Sequence, residues 1–500
     1  MAYSKKLLSI FLLSAILFSN VDYINLNARI TDTKRLGSNG SIISPQPEPV
    51  MMTYSPPIFG GSSSSSSSSN PTPVVPPVPE PTPVGFNPDI IVAQDGTGDY
   101  TNIQDAINAV PNNPTRVYQI YIRNGVYYMN SLIIKSHIWL LGESRDGVIL
   151  TKQGTISREM IYNDGDTAQV TMQSMTVNMG QPAQAGDPLQ PGIIKFRTGS
   201  HTDISFINLH VLNGEGEAIT VANYNNYLVE NCLLENVQTG VNAMAGNNLI
   251  VRDTTIRNTI GNGIYPQVLS SATQGCYGVL IEDCYLESAG DCAIDITCNY
   301  GLFEHRDVII RNTEVRGGHI RISNAVNVDL INVIMDGRRP VSIDTGRTHP
   351  VTGESKPTVN VRIVDSYIRS SDDAIRINGG TDITVLRTRV ETTSSDKSAI
   401  VVNARGDNLF QDLVVVGGAY GFSYSWNLYS STHVVVDNSD VSGFRTAGFY
   451  DGNRVNSDFT IRDSTVTGAS GASYGVWTEN PENNWSVINT SFNSVQQNVD

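Results

Sequence analysis

Asp295, His319 and Arg321 sit in two short phrases of one kind, CAIDI and GHIRI. Asp291 stands just ahead of the first. Arg376 belongs to a third such phrase, DAIRI, with Asp372 and Asp373 at its entrance. Carboxylate, imidazole and guanidinium on one surface make a set suited to acidic sugars. Arginine grips a uronate carboxylate through two parallel hydrogen bonds. A carboxylate or imidazole tuned by such neighbours serves as acid or base. Asp291, Asp295, His319, Arg321, Asp372 and Asp373 are therefore the candidate catalytic residues. Hydrolysis would pair Asp291 or Asp295 with Asp372 or Asp373, their separation setting the stereochemistry. Elimination would use a base to take the proton beside the uronate carboxylate. Arg321, His319 or a Ca²⁺ ion would then neutralise the developing charge. Epimerisation would need much the same groups. A solvated ladder of salt bridges has the same composition and is the structural alternative. Candidate substrate contacts are Arg376, Arg338 and Arg347, with Tyr265, Tyr450 and Trp477 as stacking surfaces. No residue is assigned to a metal, and beyond that Ca²⁺ no cofactor is called for.

These residues can meet only if distant segments are stacked, and the chain carries a repeat that does this. A phrase of the form apolar, x, Asn or Asp, then apolar-polar-small recurs as VENCLLEN, VRDTTIRN, IEDCYLES, IRNTEVRG and onward to VINTSFNS. Its third position falls at Asn208, Asn231, Asp253, Asp283, Asn312, Asn332, Asp365, Arg387, Asp412, Asp437, Asp463 and Asn489. A second short strand follows each copy, for example CAIDI, GHIRI, PVSID and DAIRI. Alternation of period two gives each strand one inward and one outward side. Such a unit cannot bury its inner face alone, so stacked units must share a core. The expected fold is all-β: a single-stranded right-handed parallel β-helix over residues 86–500. Ile103, Ala106, Ile107 and Val110, with capping side chains before them and Pro111 after, predict a short helix that covers the first coil.

Aligning the second strands predicts an outward column: Thr220, Asn242, Tyr265, Asp295, Arg321, Ser342, Arg376, Val401, Ser423, Tyr450 and Trp477. The column before it is small, with His319 as the large polar exception, and is also expected outward. Long intervals between Asp253 and Asn312, and between Asn332 and Asp365, predict loops on the same side. One of them, carrying Arg347, His349 and Lys356, would overhang the cluster.

The stretch DIIVAQDGTGDYTNIQDAINAV, followed by NGVYY at Asn124–Tyr128 and LLGE at Leu140–Glu143, resembles the opening of pectin methylesterases. In the family's Gly-x-Tyr-x-Glu box this chain has Met129 in the last position. A fainter similarity links Gly290–Asp295, Ser371–Ile375 and Arg316–His319 to the Gly-Asp-Asp and Gly-His boxes of polygalacturonases. These resemblances imply a carbohydrate-active β-helix and a pectin-like, acidic polysaccharide as partner.

The rest of the chain bounds the context. Lys plus Arg number 33 and Asp plus Glu 48, a net charge of −15, which argues against coating nucleic acid. Residues 1–28, with Lys5, Lys6 and the apolar run Leu7–Phe18, read as a secretory signal peptide. Residues 29–85, with serines 62–69 and a proline tract, read as a disordered Ser/Pro-rich linker. A secreted or cell-surface protein with no inserted membrane domain is expected. Its function is either modification of an acidic polysaccharide (cleavage, ester removal or epimerisation) or non-catalytic adhesion to one. The five cysteines fall between Cys232 and Cys298. At least some of them are read as buried small hydrophobes, with Cys292–Cys298 or Cys276–Cys284 as candidate disulfides.

Overall fold

The computed structural model describes residues 87–500, apart from 155–158, 164, 181–191, 269–271, 288, 299–302, 339–340, 347, 349–352, 425–431, 453–456, 481, 496 and 500. The expected signal peptide and linker, together with Arg347 and His349, lie outside the described residues.

The described chain is a parallel β-solenoid of about 14 turns with a single short helix. Each typical coil has three strands. In one coil these are Val359–Val364, Tyr367–Ser370 and Ile375–Asn378. Every strand pairs in parallel with its counterpart one coil away, as in Val361↔Ile383, Ile368↔Val390 and Ile375↔Ile400. Three sheets therefore run the length of the stack, one rung per coil and about 4.8 Å between rungs. Ile294, Ile320, Val341, Ile375 and Ile400 stack along the third sheet with no exposed surface. Phe422 continues this row, and its ring lies flat on Phe449 at 5.1 Å.

The recurrent Asn or Asp marks the corner between the first and second strands. From Asn208 to Asn489 this residue is left-handed in every coil, with φ between 44° and 55°. Short polar side chains tolerate that conformation best. Their amides also bond coil to coil: Asn332 Nδ2 donates to Asn312 Oδ1 at 3.0 Å, and Asn489 to Asp463 at 2.7 Å. Arg387 is the departure, held by a bidentate pair with Asp365. In one coil the sequence register was off by one residue. The corner falls at Asn438, not Asp437, which instead pairs with Arg462 at 2.9 Å. Three consecutive valines, Val434–Val436, blur the alternation there.

The helix forms as expected, over Ile103–Ala109. The Asn102 side chain accepts from the amides of Gln104 and Asp105, and Ile103, Ala106 and Ile107 face the first coil. The five cysteines are buried, as expected for small hydrophobes, but none is in a disulfide, so neither candidate pair forms. Cys232 and Cys284 follow the corner residue and point inward. Burial pushes both thiols up to about 12. Among the described residues, no helix is long and apolar enough to cross a membrane.

Candidate functional site

The predicted outward column exists in register. Lys195 pairs with Thr220, Thr220 with Asn242, and Asn242 with Tyr265. Asp295 pairs with Arg321, Arg321 with Ser342, Ser342 with Arg376, and Arg376 with Val401. Ser423, Tyr450 and Trp477 complete it. The small column before it does not face outward. Ala293, Ala374 and Ala399 belong to the core. A Cβ on Gly240 would lie 2.6 Å from the Gly263 carbonyl and 2.7 Å from Ile256. The chain turns a corner here, so strict alternation fails and only small residues fit. His319, also buried, follows Gly317 and Gly318, whose φ values are 73° and 67°. The extra residues of the three longest coils fall at one corner, between Gln267 and Cys276, Thr297 and His305, and Asp344 and Val359.

The site residues fall into two clusters. The first holds Asp291, Asp295, His319 and Arg321. Asp295 lies in the outward column but has no exposed surface. Arg321 covers it, donating from Nε to Oδ1 at 3.0 Å and from Nη2 to Oδ2 at 2.5 Å. Thr297 Oγ1 also donates to Oδ1. Burial disfavours the guanidinium charge, but the Asp295 carboxylate outweighs it and the Arg321 pKa is raised. His319 is buried as well. Its Nε2 lies 3.3 Å from Cys292 Sγ, and its Nδ1 lies 3.1 Å from the Asp291 carbonyl oxygen. Gly290 sets the turn that presents Asp291, since a Cβ there would sit 2.0 Å from the Ile260 carbonyl.

The second cluster holds Asp372, Asp373 and Arg376. Arg376 donates from Nε and Nη2 to Asp373 Oδ2, at 2.9 and 2.6 Å, and from Nη2 to Asp372 Oδ2 at 3.2 Å. Asp373 Oδ1 accepts the Ser398 amide at 2.9 Å. Lys397 Nζ stands 3.4 Å from Asp372 Oδ1. Burial acts to raise the Asp372 pKa, yet Arg376 and Lys397 overcome it and the net shift is downward. Burial likewise works against the Arg376 charge, and Asp373 then Asp372 reverse it. A groove of about 410 Å³ opens beside this cluster, lined by Arg376, Lys397, Asn378, Asn403, Tyr420 and Tyr450 among others. Tyr420 stacks on Tyr450 at 4.6 Å, and Tyr450 meets Trp477 at 4.9 Å.

The clusters do not meet as one carboxylate pair. Three rungs separate Asp295 from Arg376, about 14 Å along the axis. Paired glycosidase carboxylates stand roughly 5–9.5 Å apart. Tyr265 lies half-buried one rung before Asp295. Arg338 is exposed on the other side of a corner, in a separate groove of about 350 Å³ with Arg369 and Asp336. Lys397 and Tyr420 were missed by the sequence reading. Lys397 immediately precedes the strand Ser398–Val402 and Tyr420 opens the strand Tyr420–Tyr424, four and three positions before the column residues Val401 and Ser423. The pairing of Tyr420 with Ala447 and of Ala447 with Tyr474 marks a second column that could have found Tyr420.

Comparison with known proteins places the similarity at the start of the chain. Residues 89–209 match the Pectinesterase family model. A pectinesterase/pectinesterase inhibitor from Prunus persica is 42% identical over 69 residues, 13% of this chain and 13% of that protein. One from Ficus pumila var. awkeotsang is 36% identical over 94 residues, 18% and 16% of the two chains. The chain thus spans a small part of the length of these relatives. Among solved structures, carrot pectin methylesterase aligns at a TM-score of 0.27 and 15% identity, over 82% of this chain and 90% of that one. Bacteriophage phi29 gene product 12 aligns at 0.48 and 14% identity, over 77% and 53%.

Proposed function

We propose that this parallel β-solenoid, whose residues 89–209 match the Pectinesterase family model, binds and modifies a pectin-like, acidic polysaccharide. The groove beside Arg376 is the binding site. The observation that carries this reading is the join of two cations, Arg376 and Lys397, to the aromatic row Tyr420, Tyr450 and Trp477. The bonds to Asp372 and Asp373 engage Nε and Nη2 of Arg376, so Nη1 is left to meet a uronate carboxylate, and Lys397, paired with Asp372 through one contact at 3.4 Å, has further donors to offer. The rings pack on one another from coil to coil, and the rim of this aromatic row is the surface on which pyranose rings would rest. The groove is lined by two cations, Arg376 and Lys397, and two carboxylates, Asp373 and Asp396, so the chain's overall negative charge is not concentrated there. Secretion or surface display belongs to the same proposal, since the polymer is extracellular.

A second reading is binding without chemistry. The distance between the two clusters and the pairing of Asp295 and Asp373 with arginines favour it. Incubating the full-length protein with polygalacturonate, methyl-esterified pectin and alginate separates the outcomes. New reducing ends indicate hydrolysis, an unsaturated product elimination, and methanol ester removal; retention on the polymer without product indicates adhesion. Arg376→Ala together with Lys397→Ala is expected to weaken polygalacturonate binding at least tenfold and to flatten its salt dependence. Failure of the unaltered protein to bind any of the three polymers overturns the proposal.

A further inference from the structure

We propose that Asp291, Cys292 and His319 form a binding site for a zinc-type transition-metal ion. The site is independent of the polysaccharide groove and lies two to three rungs from Arg376. Three different donor atoms converge here: a carboxylate oxygen of Asp291, Cys292 Sγ and a ring nitrogen of His319, all within 4.8 Å of one another. Their geometry is the stronger argument. A carbonyl oxygen only accepts, so His319 Nδ1 must donate its proton to the Asp291 carbonyl at 3.1 Å. In the neutral ring that bond puts the proton on Nδ1, so Nε2 is the ligating nitrogen, and it faces Cys292 Sγ 3.3 Å away. Metal-binding histidines are held in this manner, with the outer N–H tied to a backbone carbonyl or carboxylate.

The backbone is built to hold the three donors. Cys292 N donates to Asn262 Oδ1 at 3.2 Å, and Asp291 N donates to the Gly261 carbonyl at 3.0 Å. Gly290 permits the close approach to the preceding coil, and Gly317 and Gly318 turn His319 back toward it. Cys292 and His319 are buried while Asp291 is half-buried, so the open side of the site is the carboxylate side. An ion would enter from that side, held by three protein ligands. The charges also balance. Asp291 and a Cys292 thiolate supply two negative charges, and the nearby Arg321 is already neutralised by Asp295.

Thiolate and imidazole select zinc or cobalt over calcium, which takes oxygen ligands. The site therefore does not serve the Ca²⁺ that elimination would invoke. Binding replaces the Cys292 S–H proton with the metal, so about one proton is released per ion. No electron is transferred.

Cobalt(II) is the probe, added to the full-length protein after chelator treatment and kept under reductant. The expected result is one equivalent bound, with a near-ultraviolet thiolate-to-cobalt absorption and the visible bands of a tetrahedral ion. Zinc should displace it, and calcium should not. Cys292→Ser should remove the near-ultraviolet band, while Cys298→Ser keeps it. Asp291→Asn preserves shape and should weaken binding at least about tenfold, as loss of even an outer partner does. Far-ultraviolet circular dichroism checks that each variant retains its sheet. No cobalt binding in the unaltered protein, or a spectrum unchanged in Cys292→Ser, overturns the site and leaves a thiol–imidazole pair. Polygalacturonate retention, measured on the same samples, reports on the groove separately.

Discussion

Replacing Asp295 with alanine should loosen two coils and leave the rest of the stack intact. Its side chain is 1% exposed and that of Arg321 is 23% exposed. Removing the carboxylate strands a mostly buried guanidinium. Breaking a buried pair from one side costs about 3–5 kcal/mol. The exposure that Arg321 retains places this case at the lower end, about 3 kcal/mol, or roughly 150-fold in the opening equilibrium. A solenoid's stability is approximately a sum of coil and interface contributions. The loss should therefore concentrate in Ile294–Thr297 and Ile320–Ser323, the paired strands that carry the two residues. Hydrogen exchange read by mass spectrometry resolves this where a global melt of many coils would not. Peptides over those strands should exchange up to about 150-fold faster in Asp295→Ala. Peptides over Thr432–Asp437, several coils away, should be unchanged. Joint replacement by Asp295→Leu and Arg321→Met should recover most of the loss, since an apolar pair of similar volume is often neutral or better. Unchanged exchange in Asp295→Ala refutes the argument, as would a double variant looser than the single. The same variant bears on catalysis: loss of activity with coils already opened would not identify Asp295 as an acid.

Three further outcomes follow from the fold. Burial lowers His201 and His305 from the ordinary 6.5 to about 4. The unfolded chain thus takes up protons that the native chain refuses, so stability is full above pH 6.5 and falls as pH drops toward 4. Both His201 ring nitrogens are buried without a partner, and the ring packs against Phe196; thermal melts should show His201→Leu stabilised by about 1–3 kcal/mol and less sensitive to acid. Arg387→Asn should stabilise its coil by about 0.5–1 kcal/mol, because the left-handed corner favours asparagine and the exposed pair with Asp365 contributes little; faster exchange there would contradict this. Gly290→Ala must push the Ile260 carbonyl away, costing about 1–3 kcal/mol, and its melting temperature should fall.

The repeat was readable because each coil uses the same corner chemistry and the same inward apolar residues. Alternation alone matched the outward column from Thr220 to Trp477 to the observed register. It failed where the backbone stops alternating. Ala293, Ala374 and Ala399 turn into the core at a corner, which a period of two cannot express. The fate of Asp295 was also hidden. Its exposure depends on Arg321 folding over it from the next coil, a packing event between side chains 26 residues apart. The contact of Cys292 with His319 needs the positive φ of Gly317 and Gly318. In the sequence, Cys292 reads as a buried residue or as the partner of Cys298 in a disulfide, and it is in none.

The Asn/Asp corner and the corner after the third strand behave differently. The first keeps one residue at nearly one φ from Asn208 to Asn489, while the second takes gaps as different as Asn378 to Thr381 and Asp344 to Val359. One corner is a metronome and the other an expansion joint. Length changes at the joint leave the beat of the stack untouched, so new loops can be grafted there without shifting any later strand. A cut from one beat to the next, such as removal of residues 388–412, would excise a whole coil and bring matching corners together. The molecule is thus divisible at its asparagines and extensible only between them.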